Sequence, residues 1–220
     1  MNKRKIFSLA VVVIMIAILS FSTLAWFNDS KSVTNEFHVA TSDGTNTPES
    51  IFSVDLWETE EDGTKTDGLK FENIVPGGTY HKDPTVENTG AYKQWIRVIV
   101  TVTDAPAWIE VLGKDYPLTN IFKGYDYNAW TLSHDPVLSG DTLTYVYYYN
   151  SDLEPEKTAT LFTDVVIPGA LTQDDLAKLE GSFNLTIKAD AVQVDAIEAT
   201  TAKEAFAYVG WPAGSDYPEN

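Results

Sequence analysis

Apolar and polar residues alternate with period two along much of the chain, the spacing that puts successive side chains on opposite faces of a strand. Phe52, Val54 and Leu56 alternate with Ser53 and Asp55. Ile96, Val98, Val100 and Val102 do the same around Arg97 and Thr101, in a long strand expected to start near Tyr92. Leu143, Tyr145, Tyr147 and Tyr149 interleave with Thr144, Val146 and Tyr148, and Leu161, Thr163, Val165 and Ile167 suggest another strand. The cleanest run is Phe183, Leu185, Ile187, Ala189 and Ala191. After it the phase slips to Val192 and Val194, which predicts a bulge or a change of facing surface. Weaker strands are expected at residues 36–40, 68–73, 85–88 and 128–133, with polar loops at 41–50 and 57–67.

Turn signals separate these runs, among them Asp43-Gly44, Asp62-Gly63, Pro76-Gly77-Gly78, Asn88-Thr89-Gly90 and Pro168-Gly169. Two short helices carry their own start signals. Thr172 precedes Asp175 by three residues and Thr201 precedes Glu204 by three, the spacing of a reciprocal cap, and Gly181 stops the first. Many strands with two short helices predict an all-β chain, a jelly-roll or immunoglobulin-like β-sandwich. Residues 26–210 form that domain, and 211–220 a polar C-terminal tail.

The first 25 residues read as a signal peptide. Lys3, Arg4 and Lys5 lead an apolar run over residues 9–19, and small residues close it, with Thr23 and Ala25 placed for cleavage between Ala25 and Trp26. Left uncut, residues 6–25 are also long enough to anchor the chain in a bilayer. Removing three bases and no acid takes the formal charge from −17 to −20. Such an acidic chain does not suit nucleic acid, whose phosphates call for Lys and Arg. Six Trp, 11 Tyr and 10 Phe are enough to build a core, and the absence of Cys excludes disulfides and thiolate chemistry.

Candidate chemistry is sparse. The three histidines, His38, His81 and His134, fall outside any His-Glu-x-x-His spacing. His81 and His134 each stand near an Asp-Pro, where they read as turn residues rather than a metal pair. Glu58, Glu60, Glu61 and Asp62 lack calcium-loop spacing and read as a solvated loop. There is no nucleophile elbow and no phosphate loop, so no catalytic, cofactor or metal residue is assigned. Among the tyrosines, the odd-numbered set is expected in the core. Tyr148 faces the other way and is the candidate, with Trp95 or Trp130, for stacking on a sugar.

Four stretches together resemble the exported TasA/camelysin-type proteins of Gram-positive bacteria: residues 23–29 with Asn35-Glu36-Phe37; Pro76-Gly77-Gly78-Thr79-Tyr80 leading through 84–90 to Trp95-Ile96-Arg97-Val98; Tyr147-Tyr148-Tyr149-Asn150 with Leu161-Phe162 and Ile167-Pro168; and Ala191-Val192-Gln193 followed by 201–206. The resemblance implies a jelly roll, cleavage by a SipW-type signal peptidase and secretion to the surface or matrix. It also implies self-association into fibres by N-terminal strand donation. The donor would lie at about residues 26–40, with Phe27, Val33, Phe37 and Val39 as its apolar positions; pairing of this segment within its own subunit is the alternative. The camelysin branch implies a metal-dependent endopeptidase, to which no residue here is assigned. A carbohydrate-binding module is the third reading.

Overall fold

The computed structural model describes residues 28–32, 52–69, 71, 74–112, 118–133, 137–178 and 184–210. These residues are mostly antiparallel β-sheet with three short helices. The strands are β1 (Asn28–Ser32), β2 (Val54–Thr59), β3 (Lys65–Thr66), β4 (Thr79–His81), β5 (Thr85–Asn88), β6 (Gln94–Val102), β7 (Phe122–Lys123), β8 (Trp130–Leu132), β9 (Val137–Ser139), β10 (Thr142–Tyr149), β11 (Thr158–Thr160), β12 (Asp164–Val166) and β13 (Leu185–Gln193). The helices are α1 (Ala105–Leu112), α2 (Gln173–Lys178) and α3 (Ala202–Tyr208).

One sheet runs β1-β13-β6-β10-β8, with β9 also paired to β10. A second runs β11-β5-β2-β3, and a third β4-β12-β7. The last two are nearly continuous. Across the break, Lys82 N–H donates to the Thr163 carbonyl and Leu161 N–H to the Pro84 carbonyl. Backbone groups at the bend therefore stay satisfied away from water. Of the predicted strand at 161–167 only Asp164–Val166 is strand, β12; residues 161–163 form this bend and lead back to β11, which lies in a different sheet.

The inward positions Val54, Leu56 and Val86 of the second sheet pack against Ile96, Val98, Val100, Tyr145, Tyr147, Ile187, Ala189 and Ala191 of the first in one core. The strand β6 is buried on both faces, because α3 covers the opposite side. There Trp95, Ile99, Val146, Tyr148 and Val192 meet Ala202, Ala205 and Phe206.

Several expectations need correcting. Residues 57–67 are not a loop: β2 continues to Thr59 and forms a hairpin with β3. Ala191 and Val192 stay in register with Ile96 and Trp95, so the phase slip is not a bulge. The slip marks the point where the second face is buried as well. Residues 68, 69 and 71 are not strand, and residues 36–40 lie outside the described residues. A third helix, α1, was not expected. Its Trp108 N–H donates to the Asp104 carbonyl, and Pro106 sits in the first turn, where a missing N–H costs nothing. Buried Ala105 and Trp108 tie it to the core.

Both predicted caps form. The Thr172 hydroxyl accepts from Asp175 N–H at 3.1 Å, and the Asp175 carboxylate accepts from Thr172 N–H at 2.9 Å. At α3, Thr201 accepts from Glu204 N–H, while the Glu204 carboxylate reaches back one residue further, to Thr200. These bonds hold the Asp175 and Glu204 carboxyls below the usual carboxylate range.

Candidate functional site

The edge of the first sheet is formed by β1. Asn28, Asp29, Ser30, Lys31 and Ser32 pair antiparallel with Val192, Ala191, Asp190, Ala189 and Lys188 of β13. Next to this short edge strand, β13 is nine residues long and fully paired to β6 on its other side. β1 also runs close to β2. Main-chain bonds of this kind carry no side-chain code, so any extended segment of suitable length fits the β13 edge.

The sequence-predicted positions Ala25, Trp26, Phe27, Val33, Phe37 and Val39 lie outside the described residues. The described strand falls in the polar stretch between two of them, Phe27 and Val33.

On the face under α3, Asp190 of β13 lies directly opposite Arg97 of β6. Asp190 is fully buried and Arg97 nearly so. Arg97 donates through Nε at 3.1 Å and Nη2 at 2.5 Å to Asp190 Oδ2, and its guanidinium stacks 4.6 Å from the Phe206 ring centre. Lys188 Nζ lies 3.7 Å from Asp190 Oδ1. Burial lowers the Lys188 ammonium below the ordinary lysine range, Asp190 partly opposing this.

Tyr148 belongs to this buried layer, 5.9 Å from Phe206, which corrects its reading as a sugar-stacking surface residue. Trp95 and Trp130 are buried as well. Period two gives Tyr148 its direction but says nothing of the helix that covers it. The odd-numbered tyrosines do line the core. Tyr145 and Tyr147 stack at 6.5 Å, and burial raises both phenols well above their usual range.

The acidic stretch at 58–62 divides. Asp62 caps the exposed β2–β3 turn by accepting from Thr64 N–H at 2.8 Å, and the Thr64 hydroxyl and N–H together hold its carboxyl low. Glu58 is fully buried and in direct contact with the Lys82 ammonium. Sequence polarity concealed this, yet the Phe52-Val54-Leu56 phase makes 58 the next inward position. The neighbouring His81 is half-exposed. Its Nε2 lies 3.1 Å from the Thr59 hydroxyl and 3.6 Å from Asp83, and its Nδ1 3.9 Å from Asp164. The two carboxylates flank opposite sides of the ring and do not converge on one point. His134 lies outside the described residues. Among the described residues no group of three His, Asp or Glu side chains is placed to hold a metal ion, and no helix is long and apolar enough to cross a membrane.

Comparison with family models, curated proteins and solved structures finds no match to this chain.

Proposed function

We propose that this chain is an exported structural protein of the cell surface or biofilm matrix, of the TasA/camelysin type, that polymerises by passing its N-terminal strand to a neighbouring copy. The observation that carries the reading is the seat of β1: a five-residue strand held at a sheet edge by pairing with β13. The same pairing made with a neighbour's strand keeps every backbone bond and turns a closed subunit into a link in a chain. Cleavage between Ala25 and Trp26 by the signal peptidase would leave a new N-terminus two residues before β1. Antiparallel sheets sharing one core fit the jelly-roll sandwich of that family.

The test is a lock. Ser32 and Lys188 are register partners, at a separation a disulfide bridges, and the chain has no Cys to interfere. Protein starting at Trp26 and carrying Ser32→Cys with Lys188→Cys should remain monomeric when oxidised and polymerise when reduced, by light scattering and negative-stain microscopy. Polymers in both states, or in neither, would sink the reading.

A further inference from the structure

Among the described residues two ion pairs have both side chains buried, Arg97–Asp190 and Lys82–Glu58. They differ chemically. A guanidinium stays protonated and is no nucleophile, whereas the primary amine of lysine becomes one when it gives up a proton.

Glu58 occupies an inward position of β2, after Val54 and Leu56. Lys82 sits in the connection between β4 and β5, and its ammonium touches Glu58 Oε1. The other carboxylate oxygen, Oε2, accepts the Leu69 N–H at 3.1 Å. Both backbones are fixed around the pair. Thr59 N–H donates to Asp83 Oδ1 at 2.7 Å, the Thr59 hydroxyl donates to Asp83 Oδ2, and Lys82 N–H donates to the Thr163 carbonyl at 3.1 Å. The amine is therefore held against the carboxyl, with a backbone donor aimed at one carboxyl oxygen and water excluded.

We propose that Lys82 and Glu58 condense in the folded protein to an intramolecular amide, an isopeptide cross-link. The step begins with a proton passing from Nζ to Oε1, which frees the amine lone pair and makes the carboxyl a neutral acid. The Nζ lone pair then attacks Glu58 Cδ, and the Leu69 N–H stabilises the charge that gathers on Oε2. As the tetrahedral centre collapses, the Cδ–Oε1 bond breaks. Oε1 leaves with its proton and one more from Nζ, as water. One amide forms, one water is released, and no oxidant or outside reactant is needed. Fixed contact supplies the effective concentration that free amines and acids lack, and the product removes two buried charges. The link ties the end of β2 to the β4–β5 connection, in a chain with no Cys to form a disulfide there.

Mass spectrometry of the full chain under denaturing conditions tests this directly. The expected intact mass is one water below the sequence mass. Trypsin should fail to cut after the amidated Lys82 and should release residues 32–65 joined to residues 71–93, with fragmentation placing the bond at Glu58 and Lys82. Lys82→Arg should restore the full mass. If that variant does not fold, the wild-type peptide map still decides the matter. A wild-type chain at full sequence mass, with cleavage after Lys82, overturns the proposal. So does a lost water that maps to a succinimide at Asp43-Gly44, Asp62-Gly63 or Asp67-Gly68.

Discussion

Arg97 and Asp190 offer the sharpest test of how the first sheet is held under α3. They face each other across β6 and β13, out of water, with Arg97 also stacked on Phe206. Arg97→Met takes the guanidinium away from a fully buried carboxylate whose contact with the Lys188 ammonium is longer, at 3.7 Å. Removing one partner of a buried pair costs about 3–5 kcal/mol. The loss of the desolvated cation–π contact adds up to about 2 kcal/mol, which the Met side chain partly replaces by packing. Against a typical total stability of about 5–15 kcal/mol, this single change should move the unfolding midpoint far without abolishing the fold. Asp190→Leu should cost a similar amount, because it leaves the guanidinium buried. The double variant, Arg97→Met with Asp190→Leu, removes both charges and keeps the volume, so it should recover most of the loss. Urea unfolding followed by tryptophan fluorescence gives all four corners of this cycle. Single variants that each lose less than about 1 kcal/mol would mean that the pair is hydrated in solution and that α3 does not seal this face.

Alkali should unfold the protein through its tyrosines. Burial pushes Tyr125 up to about 12, Tyr127 and Asp126 adding to it, and holds Tyr145 and Tyr147 higher. Unfolded phenols ionise near pH 10, so above about that pH the unfolded state has shed the protons the native state keeps, and stability falls as pH rises. Ultraviolet titration should show a late group of phenols that ionise together with unfolding; all 11 ionising in one step near pH 10, with the fold intact, would contradict this. Gly124→Ala should lose more stability than Gly140→Ala. Both glycines have positive φ, a strain of about 1–2 kcal/mol for Ala, but only at Gly124 would the new Cβ collide with a neighbour, the Thr163 side chain. Equal losses in thermal melts would count against the close approach. Asn88→Ala should cost about 2–4 kcal/mol in urea melts, since its buried amide donates to the Tyr92 and Leu153 carbonyls and its oxygen accepts from Gly90 N–H; a loss near zero would mean that water replaces it.

The strands that build the core were legible because each presents one apolar face. β2, β6, β10 and β13 all announce themselves by alternation. The pattern failed where burial and polarity part company. Glu58 reads as part of a solvated loop and is instead buried against Lys82, each offsetting the other's charge. It failed again where a second layer covers a face. Tyr148 and Val192 point away from the main core, and only the docking of α3 buries them. The helix α1 was hidden because Ala105-Pro106-Ala107-Trp108 has a proline at its second position and continues as a short apolar run, which local pattern alone does not distinguish from a strand end.

The candidate site was harder to read for a different physical reason. Apolar alternation singles out Phe27, Val33, Phe37 and Val39, but the segment that pairs with β13 is the polar Asn28-Asp29-Ser30-Lys31-Ser32. An edge strand is held largely by main-chain bonds, each worth about 0.5–1.5 kcal/mol net whatever the side chain, so its sequence need not advertise it. Polarity has a consequence for the proposed assembly. A donor made of Asn, Asp, Ser and Lys carries no apolar stripe of its own, so its release adds no apolar surface, while the bared edge of β13 stays open to an incoming strand. With a formal charge of −17 keeping copies apart at low salt, such a strand would join them when salt or acid weakens the repulsion. On this reading polymerisation should accelerate with ionic strength and falling pH, and fibres that form fastest at low salt and high pH would break the link between charge and assembly.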